Sequence, residues 1–205
     1  GAQTRSADGF WYYSPRIANI LTLNATYLLE DNNQAGVESP ENQYAVSATL
    51  GDKKFKEQSY YIAVAYNSAI SAYAKGPLID AYRGVVQFKV GNFKVGGLFQ
   101  NSESIVDGSD DNNTYLVNLA YNLNGVNIKA EYGVDEAGFG KYSKQAPQGS
   151  DINVTNFIIG ADYRVAKSTL VYGHYAMYEG DYKIDGLTTD LEDENVFTVG
   201  VRYDF

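Results

Sequence analysis

Apolar and polar side chains alternate along most of this chain, and apolar positions at helical spacing are nearly absent. In 21–29 one side reads Leu21, Leu23, Ala25, Tyr27, Leu29 and the other Thr22, Asn24, Thr26. In 126–132 Val126, Ile128, Ala130 and Tyr132 oppose Asn127, Lys129 and Glu131. Successive side chains of a strand point to opposite faces, so this period of two predicts half-buried strands with one strictly apolar face. The alternation predicts eleven strands, at 8–14, 18–30, 42–51, 58–67, 80–90, 92–100, 114–122, 125–134, 153–165, 168–178 and 195–205. Most run to nine residues or more, long against a usual strand of about five or six.

The connections alternate in length. Short turns are expected at 14–18, 51–57, 91–92, 123–124 and 165–167, and long polar loops at 30–41, 68–79, 101–113, 135–152 and 179–194. A meander with short turns at one end and long loops at the other is the pattern of a transmembrane β-barrel. Aromatic residues add a second regularity, recurring six apart on the apolar face as Tyr60/Tyr66, Tyr82/Phe88, Phe93/Phe99, Tyr115/Tyr121, Phe157/Tyr163 and Phe197/Tyr203. Six tilted residues cover roughly 15 Å between Cα atoms, and rings leaning outward extend that toward an apolar band of about 25 Å. These pairs, with Phe205, are expected to form two girdles at the membrane–water interfaces. A sandwich core rich in aromatics is the alternative, but it supplies no reason for one spacing on so many strands.

Composition narrows the field. The chain has 205 residues, 19 Tyr and 9 Phe, no Cys, and a net charge of −9. Without Cys there is no disulfide framework, thiolate metal site or Cys nucleophile. A pI near 4.6 argues against a nucleic-acid partner. No stretch of 18 apolar residues exists, so any crossing of a membrane is by strands rather than helices. Backbone groups in hydrocarbon must all be paired, so such a sheet has to close. Bacterial single-chain barrels have even strand numbers, and eleven strands predict a piece of a larger barrel, a single unit over 1–205.

Several stretches carry a family resemblance. "TVGVRYDF" at the end, "RSADGFWYYSPRI" at 5–17, "NLNGVNIKAEYG" at 122–133 and "YRVAKSTLVYGHYAMY" at 163–178 resemble the general diffusion porins of Gram-negative outer membranes. In 5–17 Asp8 and Gly9 stand where the family more usually has Asn-Ser. The resemblance implies the C-terminal two-thirds of a sixteen-stranded, trimeric barrel, with the N-terminal strands and the constriction loop outside this sequence. It further implies a water-filled channel for passive diffusion of small hydrophilic solutes and ions, without cofactor. The partners it implies are membrane lipid, lipopolysaccharide and two further copies of the chain.

On this reading the polar side lines water. The expected lining is Arg5, Arg83, Gln87, Lys89, Lys94, Asn118, Lys129, Glu131, Asp162 and Arg164, with Arg5 assigned by the resemblance to a basic cluster at the constriction. Acidic runs at 107–113 and 191–195, with Asp181, Asp185 and Asp190, raise the question of divalent-cation capture. Ordinary solvated loop charge is the simpler account. Two other classes remain open. An outer-membrane barrel enzyme, lipase- or protease-like, would need the single His, His174, as its base, yet no Ser adjoins it. A soluble β-sheet binding module would leave the girdles unexplained.

Overall fold

The computed structural model describes residues 9–29, 43–71, 78–105, 111–136 and 151–204. Within them the chain forms twelve antiparallel strands that hydrogen-bond in chain order in one sheet, with the last beside the tenth. They are β1 (Gly9–Tyr13), β2 (Leu21–Leu28), β3 (Gln43–Gly51), β4 (Tyr60–Ser71), β5 (Leu78–Val90), β6 (Phe93–Ser104), β7 (Asn112–Leu123), β8 (Val126–Asp135), β9 (Asp151–Ala166), β10 (Thr169–Ile184), β11 (Leu187–Asp190) and β12 (Glu194–Tyr203). Contacts divide the chain into two compact units, Gly1–Val86 with Phe99–Asn112, and Gln87–Leu98 with Asn113–Phe205.

In the first unit β1 to β4 pair as successive hairpins, with registers Trp11↔Thr26, Asn24↔Ser47 and Ser47↔Ala65. The β3–β4 turn is built by one carboxylate. Asp52 Oδ1 accepts the Lys54 amide at 2.9 Å, and its Oδ2 accepts the amides of Lys56 and Glu57 at 2.8 and 3.2 Å. Arg16, from the turn between β1 and β2, donates to Glu57 Oε2 at 2.7 Å and to Gln58 Oε1 at 2.9 Å. The neighbouring short turns are thereby tied together.

The amides of Lys54, Lys56 and Glu57, with the Arg16 charge, hold the Asp52 carboxyl below its ordinary range. A carboxylate whose pKa is depressed on folding stabilises above the unfolded value, about 3.9, and loses that contribution as pH falls through the folded value. Asp52→Asn should therefore lower stability at neutral pH, with the gap to wild type closing as pH drops below about 4. Urea unfolding at a series of pH values reads this; a gap independent of pH would refute it.

In the second unit β7 to β10 pair in order, with β12 along the outer edge of β10. Asn124 and Gly125, at φ 50° and 93°, make the two-residue turn between β7 and β8. Both central residues of this hairpin turn need positive φ, which Asn-Gly supplies.

All eleven expected strands are present, several reaching further into the connections than the alternation indicated. The expected loop at 179–194 is instead a hairpin. β10 continues to Ile184, turns at Asp185–Gly186 with φ 51° and 79°, and returns as β11. β9 occupies one edge of β10 from Thr169 to Lys183, so β11 and β12 share the other edge end to end. Asp181 pairs Asp190 and Tyr178 pairs Glu194, so Leu191, Glu192 and Asp193 face only Glu179 and Gly180. That extra residue is a β-bulge, and bulges bend a strand and re-aim its side chains. Twelve strands thus fill the eleven expected positions. The bulge buries Leu191 against Val154, with Ile152, Tyr178 and Tyr182 packed around them.

Candidate pore lining and membrane face

Exposure separates the two faces of the sheet in the second unit, whereas on β1 of the first unit Trp11 and Tyr13 are exposed on one face and Phe10 and Tyr12 on the other. On β12, Phe197, Val199 and Val201 are 73%, 70% and 68% exposed, while Val196, Thr198 and Gly200 between them are half-buried. Large apolar side chains that exposed have no place against water, and where they line one face of a strand they mark a surface that another apolar medium covers.

Aromatic residues on this apolar face fall into registered rows. In the first unit Phe10 pairs Tyr27 and Tyr27 pairs Tyr44. Tyr44 meets Tyr66 edge-on at 5.9 Å between ring centroids, and Tyr66 lies 4.7 Å from Tyr82. In the second unit Tyr132 pairs Phe157, Tyr175 pairs Phe197, and Phe93 sits 4.5 Å from Tyr121. The expected girdle residues Tyr60, Tyr66, Tyr82, Phe88, Phe93, Phe99, Tyr115, Tyr121, Phe157, Tyr163, Phe197 and Tyr203 all lie in strands, at the parity of this face. Phe205 lies outside the described residues. The same face also carries Phe10, Tyr27, Tyr44, Tyr132 and Tyr175, which the six-residue spacing overlooked because their strands carry no second ring at that interval on this face.

The opposite face of the second unit holds a polar ladder near the short turns. Asn122 Nδ2 donates to Asn127 Oδ1 at 2.7 Å, and Asn127 Nδ2 donates to Asp162 Oδ1, also at 2.7 Å. Lys129 forms an ion pair with Asp162, whose side chain is only 10% exposed. A buried carboxylate is tolerated when its oxygens are occupied, and here Asn127 and Lys129 occupy both. Next to the turn, Arg164 donates to the Lys167 carbonyl at 2.7 Å, and Arg202 Nε donates to Asp204 Oδ1 at 2.9 Å. The Arg202 hydrogen bond, with Arg164 adding to it, holds the Asp204 carboxyl below its ordinary range.

Register places Asn118 opposite Glu131, two rows above this ladder. Gly96 leaves the space that Asn118 occupies: a Cβ there would come within 2.7 Å of Asn118 Oδ1. In the first unit Arg83 donates through Nε to Gln100 Oε1 at 2.8 Å. Gln87, Lys89 and Lys94 share the parity of these polar positions on β5 and β6. Every expected lining residue that is described therefore lies on the polar face; Arg5 lies outside the described residues. Asn122, Asn127 and Gln100 were not anticipated. Their parity was readable, but an amide's partner across a strand pair is not.

The polar face is not polar throughout. Toward the long loops it carries Val154, fully buried beside Leu191, and Ala176 at 2% exposure. His174 lies on this face across from Gly160 and Thr198. Among the described residues no group of three or more His, Cys, Asp or Glu is placed to hold a metal ion. The carboxylates of 179–194 are spread along the β10–β11 hairpin, and residues 107–110 lie outside the described set.

A family model for Gram-negative porins matches residues 1–184. The chain belongs to the Gram-negative porin family. Membership places it in the outer membrane, crossed many times by strands. Among solved structures it is similar to OmpT, an outer membrane protein of Vibrio cholerae, in its outer-membrane-expressed form: TM-score 0.60, 18% identity, 94% of this chain and 63% of that one. The trimer form of the same protein gives 0.59 at 17% identity over 97% and 64%. A porin refined at 1.8 Å resolution gives 0.60 at 14% identity over 96% and 61%. Likeness at such identities shows the fold alone, and this porin chain spans under two thirds of each of those chains. No curated protein matches it in sequence.

Proposed function

We propose that this porin is part of a closed barrel enclosing a water-filled channel, through which small hydrophilic solutes and ions diffuse down their own gradients. The observation that carries the reading is the opposition of the two faces in the second unit. The Asn122–Asn127–Asp162–Lys129 ladder occupies one face, and registered aromatic and aliphatic side chains stand exposed on the other. Such a sheet is at rest only with lipid on its apolar side and water on its polar side. Closure requires further strands, since among the described residues β1 pairs only β2 and β12 only β10. The greater length of the similar structures agrees with that.

Passage is governed by pore radius and wall charge, with Arg83, Gln87, Lys89, Lys94, Asn118, Lys129, Glu131, Asp162 and Arg164 as lining. Assembly as a homotrimer, contact with lipid and lipopolysaccharide on the apolar face, and the absence of enzymatic activity belong to the same proposal. The test is planar-bilayer recording of the intact protein, for which discrete conductance steps are expected. Lys129→Gln should leave the steps in place while moving the reversal potential in a salt gradient toward cation preference, because Asp162 then keeps its charge without its counterion. No steps with any solute would refute the channel. A hydrolytic activity lost in His174→Ala would put an enzyme in its place.

A further inference from the structure

The charges of this chain are sorted along the strands. In the first unit the short-turn end carries Arg16, Lys53, Lys54 and Lys56 against Asp52 and Glu57. In the second it carries Lys89, Lys94, Lys129, Arg164, Lys167 and Arg202 against Asp162 and Asp204. Both turn ends are therefore net positive, in a chain whose overall charge is −9. The long-loop ends are the reverse. Among the described residues of the first unit Asp80, Glu103 and Asp111 stand there against Arg83. Among those of the second, 179–194 holds seven carboxylates and one cation, Lys183, and Asp135, Glu136 and Asp151 add to them.

Part of this sorted charge sits on the polar face itself. Lys89 and Lys94 flank the Gly91–Asn92 turn at the parity of that face, and Lys129 and Arg164 stand on it near their own turns. Neither burial nor sheet pairing requires the sorting, because the same turns would form with acidic residues at the exposed positions of Lys53, Lys54 and Lys56.

We propose that the pore is polarised along its axis, with a cation-attracting mouth at the long loops and an anion-attracting mouth at the short turns, and that it rectifies current. The inference rests on the channel reading above and specifies how that channel passes ions. Charge of one sign at a confined mouth raises the local concentration of the opposite ion. With the loop side positive, cations are driven inward from the mouth that concentrates them, and anions inward from the other, so the pore fills with carriers. With the polarity reversed, both kinds are drawn out and the middle is depleted. Current should be larger with the loop side positive. Since outer-membrane barrels carry long loops outside and short turns toward the periplasm, the favoured direction moves cations inward and anions outward.

Single-channel recording of the intact protein in symmetric KCl tests this. Lys54→Cys, in a stretch of 205 residues without Cys, can be biotinylated, and streptavidin added to one compartment then reports which side the turns face, with the unsubstituted protein as the control. At about 0.1 M salt, where the Debye length is near 10 Å, currents at opposite polarities should differ by about twofold. At about 1 M, where it is near 3 Å, the ratio should approach one. The double variant Lys89→Glu/Lys94→Glu should lower the ratio at 0.1 M and leave it near one at 1 M. Equal currents at low salt, a larger current with the turn side positive, or a ratio unmoved by that variant would each overturn the proposal with the channel intact. Absence of steps at every salt would overturn the channel itself.

Discussion

Arginine in place of Leu119 should cost about 2–4 kcal/mol of folded-state stability in a bilayer, whereas arginine at the adjacent Asn118 should cost less than about 1. The two positions are consecutive on β7 and face opposite ways. Register carries Leu119 across the neighbouring strands, to Ala130, Ile159, Tyr175 and Phe197. Every member of that row is apolar, and the row passes between the rings of Tyr115 and Tyr121 on its own strand. A guanidinium there has no water and no partner, and snorkelling to an interface recovers only part of the loss. Asn118 instead stands opposite Glu131, so an arginine beside it gains a carboxylate and remains wet. Urea unfolding of both variants from lipid vesicles measures the difference. Equal costs at the two positions would mean that the faces have been assigned the wrong way round, and the channel reading would fall with them.

That pair also shows why so much of the fold was legible. Where a strand has lipid on one side and water on the other, each residue must choose, and the choice repeats every second position. Phe157, Ile159, Ala161 and Tyr163 stand against Ile158, Gly160, Asp162 and Arg164, and the two charges in mid-strand decide which side is wet despite Ile158. Strand identity and facing follow from such runs without any knowledge of partners. The candidate site was legible in the same sense and no further. That Lys129 and Asp162 share a face is a matter of parity; that they meet, with Asn127 bonded to the same carboxylate, depends on the β8–β9 register. The Arg83–Gln100 bond likewise depends on the register of β5 and β6, strands that the expected turn at 91–92 joins but whose facing side chains alternation alone does not match.

The stretch 179–194 failed for a different reason. Asp181 and Lys183 fall on the parity that carries Val171 and Tyr175 earlier in β10, and Tyr182 and Ile184 fall on the other, so the alternation continues with its faces exchanged. The extra residue at the bulge then shifts the phase, so no single period of two fits both β11 and β12. The available signal was Asp185–Gly186, a dipeptide suited to a turn that needs two positive φ values.

The bulge supplies the second large effect. Gly180→Ala should destabilise by about 1–3 kcal/mol, although the residue lies in extended backbone where alanine is ordinarily acceptable. A Cβ on Gly180 would come within 2.8 Å of the Asn153 carbonyl oxygen, 3.1 Å of Val154 Cγ2 and 3.3 Å of Leu191 Cδ1. The first of these is backbone, and the paired strand cannot withdraw without breaking its ladder. The other two are the buried pair at the centre of the apolar cluster. Leu191 N donates to the Gly180 carbonyl at 2.8 Å, so displacing either residue also strains the bond that sets the bulge. Gly84→Ala is the matched control, because a Cβ there meets nothing within 4 Å and the stiffer unfolded chain should leave stability unchanged or raised by up to about 1 kcal/mol. Urea midpoints of the two variants should therefore move apart. If Gly180→Ala unfolds with wild type, the close packing of Val154 and Leu191 over this glycine is not what holds β11 and β12 on one edge of β10.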